Sequence, residues 1–266
     1  MPIEVRRYGE SGPTVWVLHG GPGAPGGARP LAEGLAGRCL VAEPLQRRSA
    51  PGAPLTVAGH VVDLRAVVDE PAAFVGWSWG AMLGLTFAAR HPELVRSLVL
   101  VGCGTFDEES RVVYERTMAE RTDEEDRRRL AEIRAALPAA PAGARDRLLA
   151  ERGAIAGRLQ AYDPRPPGPG TELPADAVGH EETWNDVLRL QDAGIQPAEF
   201  AAITGPVLMI HGTADPHPGP RIRDVLRGVV PQLEYVELDR CGHAPWDERH
   251  ARAQFFRVLS DWLAAH

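Results

Sequence analysis

Phe74-Val75-Gly76-Trp77-Ser78-Trp79-Gly80 is the stretch on which the fold turns. An apolar run stops at Gly76-x-Ser78-x-Gly80 and a helical pattern begins at once, so the segment reads as strand, sharp turn and helix. A serine at such an elbow is held in a strained conformation with its hydroxyl exposed. Glycine is needed two residues to either side, where a Cβ would collide across the turn. The helix opening at Trp79 points its N-terminal N–H groups and the positive end of its dipole at the same place, which suits negative charge developing beside Ser78. A glycine-rich chain also produces this pattern by chance, so its meaning rests on what surrounds it.

Upstream, residues 3–8 alternate weakly and Thr14-Val15-Trp16-Val17-Leu18 is a short apolar run, two strands separated by the Ser11-Gly12-Pro13 turn. His19-Gly20-Gly21-Pro22-Gly23 follows the second of them directly. With almost no side chains to pack, its amides can approach a ligand closely, and His19 reads as turning the loop rather than carrying protons. Residues 39–42 form a further strand. Glu43-Pro44-Leu45-Gln46-Arg47-Arg48-Ser49 and a Pro/Gly-rich continuation then lead into an amphipathic helix at about 56–70, with Val57, Val61, Leu64, Val67 and Val68 on one face.

Downstream, Ala81, Leu83, Gly84, Leu85, Phe87 and Ala88 make an apolar helix that Arg90-His91-Pro92 ends. Ser97-Leu98-Val99-Leu100-Val101 is apolar along its length, as expected of a parallel strand covered on both faces. From about 106 the pattern changes. Residues 107–136 are charged and helical, 143–160 and about 179–193 are helical again, and Asp163-Pro164-Arg165-Pro166-Pro167-Gly168-Pro169-Gly170 reads as a loop. The sheet resumes at Pro206-Val207-Leu208-Met209-Ile210, which delivers Asp215 to a loop. A helix at about 219–229 and a strand at 233–238 deliver His243 in the same way, and a helix from about 248 closes the chain. Strands alternating with helices predict an α/β fold with a mostly parallel, doubly wound sheet. Residues 1–105 and 198–266 form its core, and 106–197 form an inserted helical cap or lid.

Composition narrows the function. The 266 residues carry a net charge of -7, and all 29 basic residues are arginine, which we attribute to codon usage; no basic footprint for nucleic acid is present. No apolar run approaches the ~20 residues that span a bilayer and no signal-peptide core opens the chain, so a cytoplasmic protein without a membrane partner is expected. Cys39, Cys103 and Cys241 are odd in number and widely spaced, which fits small buried hydrophobes better than metal ligands. His217, in Asp215-Pro216-His217-Pro218, has no second ligand at useful spacing and reads as a surface turn, so neither metal nor cofactor is expected.

Catalytic groups of open α/β sheets gather outside the carboxyl ends of the strands, and Ser78, Asp215, His243 and the Gly20-Gly21 loop each follow a strand directly. Over nearly its entire length, the chain resembles the cap-bearing α/β-hydrolases, in which nucleophile, acid and histidine follow in that order. The resemblance implies that Ser78 is the nucleophile, that His243 takes and returns its proton, and that Asp215 fixes the imidazole tautomer. Asp107, after the strand at 97–101, is the fallback acid. The N–H groups of Trp79 and Gly21 are the oxyanion-hole candidates. Serine at the nucleophile position disfavours the family's haloalkane dehalogenase and epoxide hydrolase chemistries, which use aspartate there.

Within the family, His19-Gly20-Gly21-Pro22-Gly23 and Ser78-Trp79-Gly80 resemble the prolyl aminopeptidases. Those usually carry glycine where Trp77 stands, and an Asp-x-Arg-Gly-x-Gly-x-Ser-like loop where this chain has Glu43 to Ser49, with Arg48 replacing a glycine. They also recognise an ammonium with cap carboxylates, for which Glu181, Glu182 and Asp186 beside Trp184 are unassigned candidates. Trp77 and Trp184 are the substrate-binding candidates. The readings are therefore a serine hydrolase of a small ester or amide, a prolyl aminopeptidase acting on a short peptide, and a non-catalytic small-molecule receptor on the same fold. Oligomeric state is not legible.

Overall fold

The elbow strand lies at the centre of the sheet. A computed structural model describes residues 2–166 and 173–266, and its seven strands are β1 Val5–Tyr8, β2 Thr14–Leu18, β3 Leu40–Pro44, β4 Ala72–Trp77, β5 Val95–Val101, β6 Val207–Gly212 and β7 Leu233–Leu238. Their order is β1-β3-β2-β4-β5-β6-β7. β1 pairs antiparallel with β3, and the other strand pairings are parallel.

Each central strand divides its side chains between two cores, as the two-residue period of a strand requires. Trp16, Leu18, Phe74, Leu98, Leu100, Val207 and Met209 face one side. There they meet α2 Val57–Arg65, α3 Trp79–Arg90 and α8 Gly219–Arg227. Val15, Val17, Ala73, Val75, Val99, Val101, Leu208 and Ile210 face the other, against α1 Arg29–Leu35 and α9 Arg252–Ala265. Burial on both faces is why these strands are continuous apolar runs rather than alternating ones. Cys39, Cys103 and Cys241 are buried and free.

Between β5 and β6 stand α4 Glu108–Arg121, α5 Glu124–Ala136, α6 Ala142–Gln160 and α7 Ala177–Asp192, with no strand among the described residues. The single charged helix expected over 107–136 is two, because Asp123 caps α5 by accepting from the Asp126 N–H at 2.8 Å. The helix expected to reach residue 70 stops at Arg65. Beyond it the Val67 and Val68 N–H groups both turn back to the Leu64 carbonyl, so Val68 stays buried without continuing the helix. The closing helix starts at Arg252 rather than 248. α1 has no counterpart in the sequence reading: it is short, carries Pro30, and includes Gly34, whose Cβ would lie 2.1 Å from the Phe256 ring. In the loop expected at 163–170, Pro164 forms an isolated bridge with Glu248, and residues 167–170 lie outside the described ones. No described helix is long and apolar enough to cross a membrane.

Candidate active site

Ser78 stands between β4 and α3 with φ 56° and ψ -119°, a strained region for any residue with a Cβ. Two contacts force this geometry. A Cβ on Gly76 would lie 2.3 Å from the Gly80 carbonyl oxygen, and one on Gly80 would lie 2.3 Å from that of Leu18, so α3 can leave the strand this steeply only with glycine at both positions. The Ser78 N–H donates to the Val101 carbonyl at 2.9 Å, extending the β4–β5 ladder one residue past the strand. Ser78 is half-buried.

The glycine loop lies directly against this elbow: a Cβ on Gly20 would meet the Trp77 ring at 2.8 Å and the Ser78 Cβ at 3.0 Å. Gly21 follows with φ +61°. His19 is fully buried behind the loop, its Nδ1 3.0 Å from the Gly20 carbonyl and its Nε2 3.4 Å from the Gln46 N–H; burial pushes its pKa down to about 4. It is therefore a neutral structural group. Trp79 sends its indole N–H to the Gln46 side chain at 2.8 Å; as the first residue of α3 it also carries one of the backbone N–H groups that a helix start leaves without an intrahelical partner.

The loops after β6 and β7 bring Asp215 and His243 together, with His243 Nδ1 2.7 Å from Asp215 Oδ2. The His243 ring lies over Gly102, where a Cβ would approach Nδ1 to 2.9 Å; this glycine immediately follows the Val101 that holds Ser78. Burial would raise the Asp215 carboxyl, but His243, His217 and His211 outweigh it and hold the pKa well below the usual range.

His217 is not a surface turn. Its N–H and its Nδ1 both reach Asp215 Oδ1, at 2.9 and 2.8 Å, and its ring stacks on His243 with centroids 4.6 Å apart and planes 22° apart. Tyr114 of α4 covers its other side at 4.3 Å. His211 Nε2 adds a contact to Asp215 Oδ2 at 3.3 Å and donates to the His217 carbonyl at 3.0 Å. Sequence spacing misses this because His217 is reached through an Asp-Pro turn and Tyr114 comes from a helix about a hundred residues away in the chain.

Other candidates fall elsewhere. Asp107 caps α4, accepting from the Ser110 N–H at 2.6 Å, and pairs with Arg221 at 3.3 Å; it is not part of the His243 cluster. The Trp77 indole N–H donates to the His243 carbonyl at 3.0 Å and its ring packs edge-on against Trp246, so it supports the histidine loop from beneath. Trp184 packs, partly buried, against the core cluster around α2 and α3, and no hydrogen bond or ring contact ties it to Ser78, Asp215 or His243. Glu182 and Asp186 accept from the Leu55 and Val57 N–H groups, both at 2.8 Å, and Glu181 pairs with Arg145 at the surface.

Two carboxylates that the sequence did not single out fasten the helices between β5 and β6 to the site. Glu248, buried, accepts from the N–H groups of Gly242, Tyr162 and Asp163 at 2.9, 2.8 and 2.7 Å, while the His243 N–H donates to the Gln160 carbonyl at 3.0 Å. Asp176 caps α7 through Gly179 and takes the Ser49 hydroxyl at 2.7 Å, and its own N–H donates to the Gly23 carbonyl at 2.8 Å. The histidine loop and the glycine loop are thus each tied to this helical segment.

The alpha/beta hydrolase fold family model matches residues 58–249, from α2 through the histidine loop. The chain belongs to this family. As an α/β-hydrolase it is similar to the pimeloyl-[acyl-carrier protein] methyl ester esterase of Chromobacterium violaceum, 43% identical over 106 residues, which cover 38% of this chain and 41% of that protein. The enzyme of the same name from Neisseria meningitidis serogroup B is 33% identical over 93 residues, 32% of this chain and 34% of its own. The matched stretches span about a third to two fifths of the length of these relatives. Among solved structures, a thermophilic esterase from Thermogutta terrifontis superposes with a TM-score of 0.64 at 17% identity over 99% of this chain and 93% of its own. The enol-lactonase of Burkholderia xenovorans LB400 does so with 0.59 at 22% identity over 98% and 96%. At these identities the likeness is one of fold.

Proposed function

We propose that this α/β-hydrolase is a serine esterase that cleaves a small-molecule ester through an acyl-enzyme. The observation that carries the reading is the 2.7 Å contact between His243 Nδ1 and a buried, ionised Asp215, at the same end of the sheet as a serine held at positive φ. Asp215 accepts the Nδ1 proton, which leaves His243 Nε2 with its lone pair free to take the proton of Ser78 as Oγ attacks the ester carbonyl. The oxyanion then forms between the Trp79 and Gly21 N–H groups, each contributing roughly 3 kcal/mol. His243 returns the proton to the departing alkoxide, and water repeats the sequence on the acyl-enzyme.

The helices of 106–197 act in this reading as a cap that limits water at the strand ends and selects the substrate. Their ties to the glycine and histidine loops support that role. An ester is favoured over an N-terminal proline because the relatives are named methyl ester esterases, and because Glu182 and Asp186 are engaged at the α2 entry and Glu181 with an arginine. The test is a panel of chromogenic esters and proline aryl amides with wild type and Ser78→Ala. Ester hydrolysis lost in Ser78→Ala, together with fluorophosphonate labelling of wild type alone, is the expected result. Preferential release from proline amides would favour the aminopeptidase, and no turnover or labelling would favour a receptor.

A further inference from the structure

Arg152, in the middle of α6, is half-buried, and its side chain makes one hydrogen bond among the described residues, from Nη2 to His180 Nε2 at 2.9 Å. His180 Nδ1 donates to the Pro22 carbonyl at 2.8 Å, which leaves Nε2 as the acceptor that this bond needs. The other guanidinium nitrogens have no partner there and are not among the atoms sealed from solvent without one, so they are open to a ligand. On the same helix Arg145 and Arg158 pair with Glu181 and Asp126, whereas Arg152 has no carboxylate partner among the described residues. A cation held partly out of water without a counter-ion destabilises the fold, and an arriving anion recovers that cost.

The surroundings tie this cation to both sides of the candidate site. Through His180 it is joined to Pro22, next to the Gly20-Gly21 loop that lies against Ser78. Tyr114 belongs to the other side: its ring covers His217 at 4.3 Å and its hydroxyl accepts from Gln160 Nε2 at 3.1 Å, while its own O–H has no acceptor among the described residues. Burial raises the pKa of Tyr114, and the Gln160 bond and the Arg152 charge oppose the rise. Burial lowers that of Arg152, and Tyr114 opposes the fall, so the two groups act on each other. Two donors without acceptors, one charged and one neutral, thus stand near each other, one tied to the glycine loop and the other to the His217–His243 stack.

We propose that Arg152, with the Tyr114 hydroxyl, binds a carboxylate carried by the substrate, so that the preferred esters are anionic ones. A guanidinium presents parallel N–H donors that match the two oxygens of a carboxylate, and a phenol O–H adds a further bond to one of them. Anion binding stands on this geometry alone; its role in choosing the ester rests on the esterase reading.

Steady-state hydrolysis of matched esters by the full chain tests the assignment. Monomethyl succinate, glutarate and adipate carry the carboxylate on the acyl part and acetoxyacetate carries it on the alcohol part; methyl butanoate, methyl pentanoate, methyl hexanoate and propyl acetate are the neutral counterparts. Wild type is expected to favour at least one anionic ester over its counterpart by about tenfold or more in kcat/KM, chiefly through KM. Arg152→Gln should lose that preference and Arg152→Lys should keep part of it, whereas a merely structural tie to His180 would lower both esters alike. Tyr114→Phe, which keeps the ring over His217, should lose a smaller part, and an unchanged preference in it removes the hydroxyl from the site. Calorimetry of the same anionic esters on Ser78→Ala separates binding from turnover: affinity should fall about tenfold or more when Arg152→Gln is added. No preference in wild type, or a preference that survives Arg152→Gln, overturns the proposal. In a chain that hydrolyses none of the esters, Arg152-dependent binding would refute the esterase reading and leave the anion site standing, and its absence would overturn both.

Discussion

Replacing Ser78 by glycine removes the proposed nucleophile and the backbone strain together, whereas alanine removes only the proposed nucleophile. The pair therefore measures what the elbow costs the fold. At φ 56° and ψ -119° a residue with a Cβ costs about 1–3 kcal/mol. Glycine relieves this but gives back about 0.4–1 kcal/mol through its greater freedom in the unfolded chain. At the middle of these ranges a net gain of about 1.3 kcal/mol remains, which at roughly 2–4 °C per kcal/mol corresponds to about 3–5 °C in melting temperature. Ser78→Gly should accordingly melt that much higher than Ser78→Ala by differential scanning calorimetry, with neither variant labelled by fluorophosphonate. A Ser78→Gly protein that melts at or below Ser78→Ala would refute the claim that the elbow stores strain, and with it the physical reason for placing the nucleophile there.

Asp215→Asn should lower kcat by up to about 10⁴-fold, because an amide can stabilise the wrong imidazole tautomer, while Asp107→Asn should cost about 1 kcal/mol or less of stability through its α4 cap and little activity; the reverse ranking in steady-state kinetics would exclude Asp215 as the acid. Acid should destabilise the fold through its buried neutral histidines: His19 and His60 have pKa values pushed down by burial to about 4, below the ~6.5 of the unfolded chain, so the stability they allow is complete above 6.5 and is lost as pH falls towards 4, by about 3 kcal/mol each. Urea midpoints from pH 7 to 4 should show this slope, and His60→Gln should flatten it; an unchanged slope in that variant would remove His60 as a cause. Glu248→Gln turns an amide N–H₂ towards backbone N–H donors and should cost about 1–3 kcal/mol, with a fall in kcat as the histidine loop loosens. Wild-type melting and turnover in Glu248→Gln would show that its three hydrogen bonds do not hold that loop.

What was legible in the sequence is what short-range patterns encode. The apolar runs at 14–18, 97–101 and 207–210 are strands because burial on both faces of a parallel sheet leaves no room for polar residues, and the observed strands contain each of them. Gly76 and Gly80 marked the elbow because the collisions they avoid lie within a turn's reach or against the next strand. Asp215 and His243 could be placed at one end of the sheet by rule, since each follows a parallel strand. Helix ends were less legible: the break at Thr122-Asp123 depends on one side-chain cap, and α1 packs its Gly34 against Phe256 from the far end of the chain.

The surroundings of Asp215 belong to tertiary structure alone. A sequence shows that His217 is two residues from Asp215, but not that the turn folds its ring back onto the same carboxylate, with His211 beneath and Tyr114 of α4 behind. The same holds for Glu248 and Asp176, whose partners come from segments far away in the chain. Hydrogen bonds of this kind leave no periodic trace, because a single carboxylate satisfies whichever N–H groups the fold brings to it. Local sequence therefore determined the strands, the elbow and the end of the sheet at which Ser78, Asp215 and His243 lie. Long-range packing decided which imidazoles and carboxylates meet there, because only the folded chain takes them out of water and makes each depend on its neighbour.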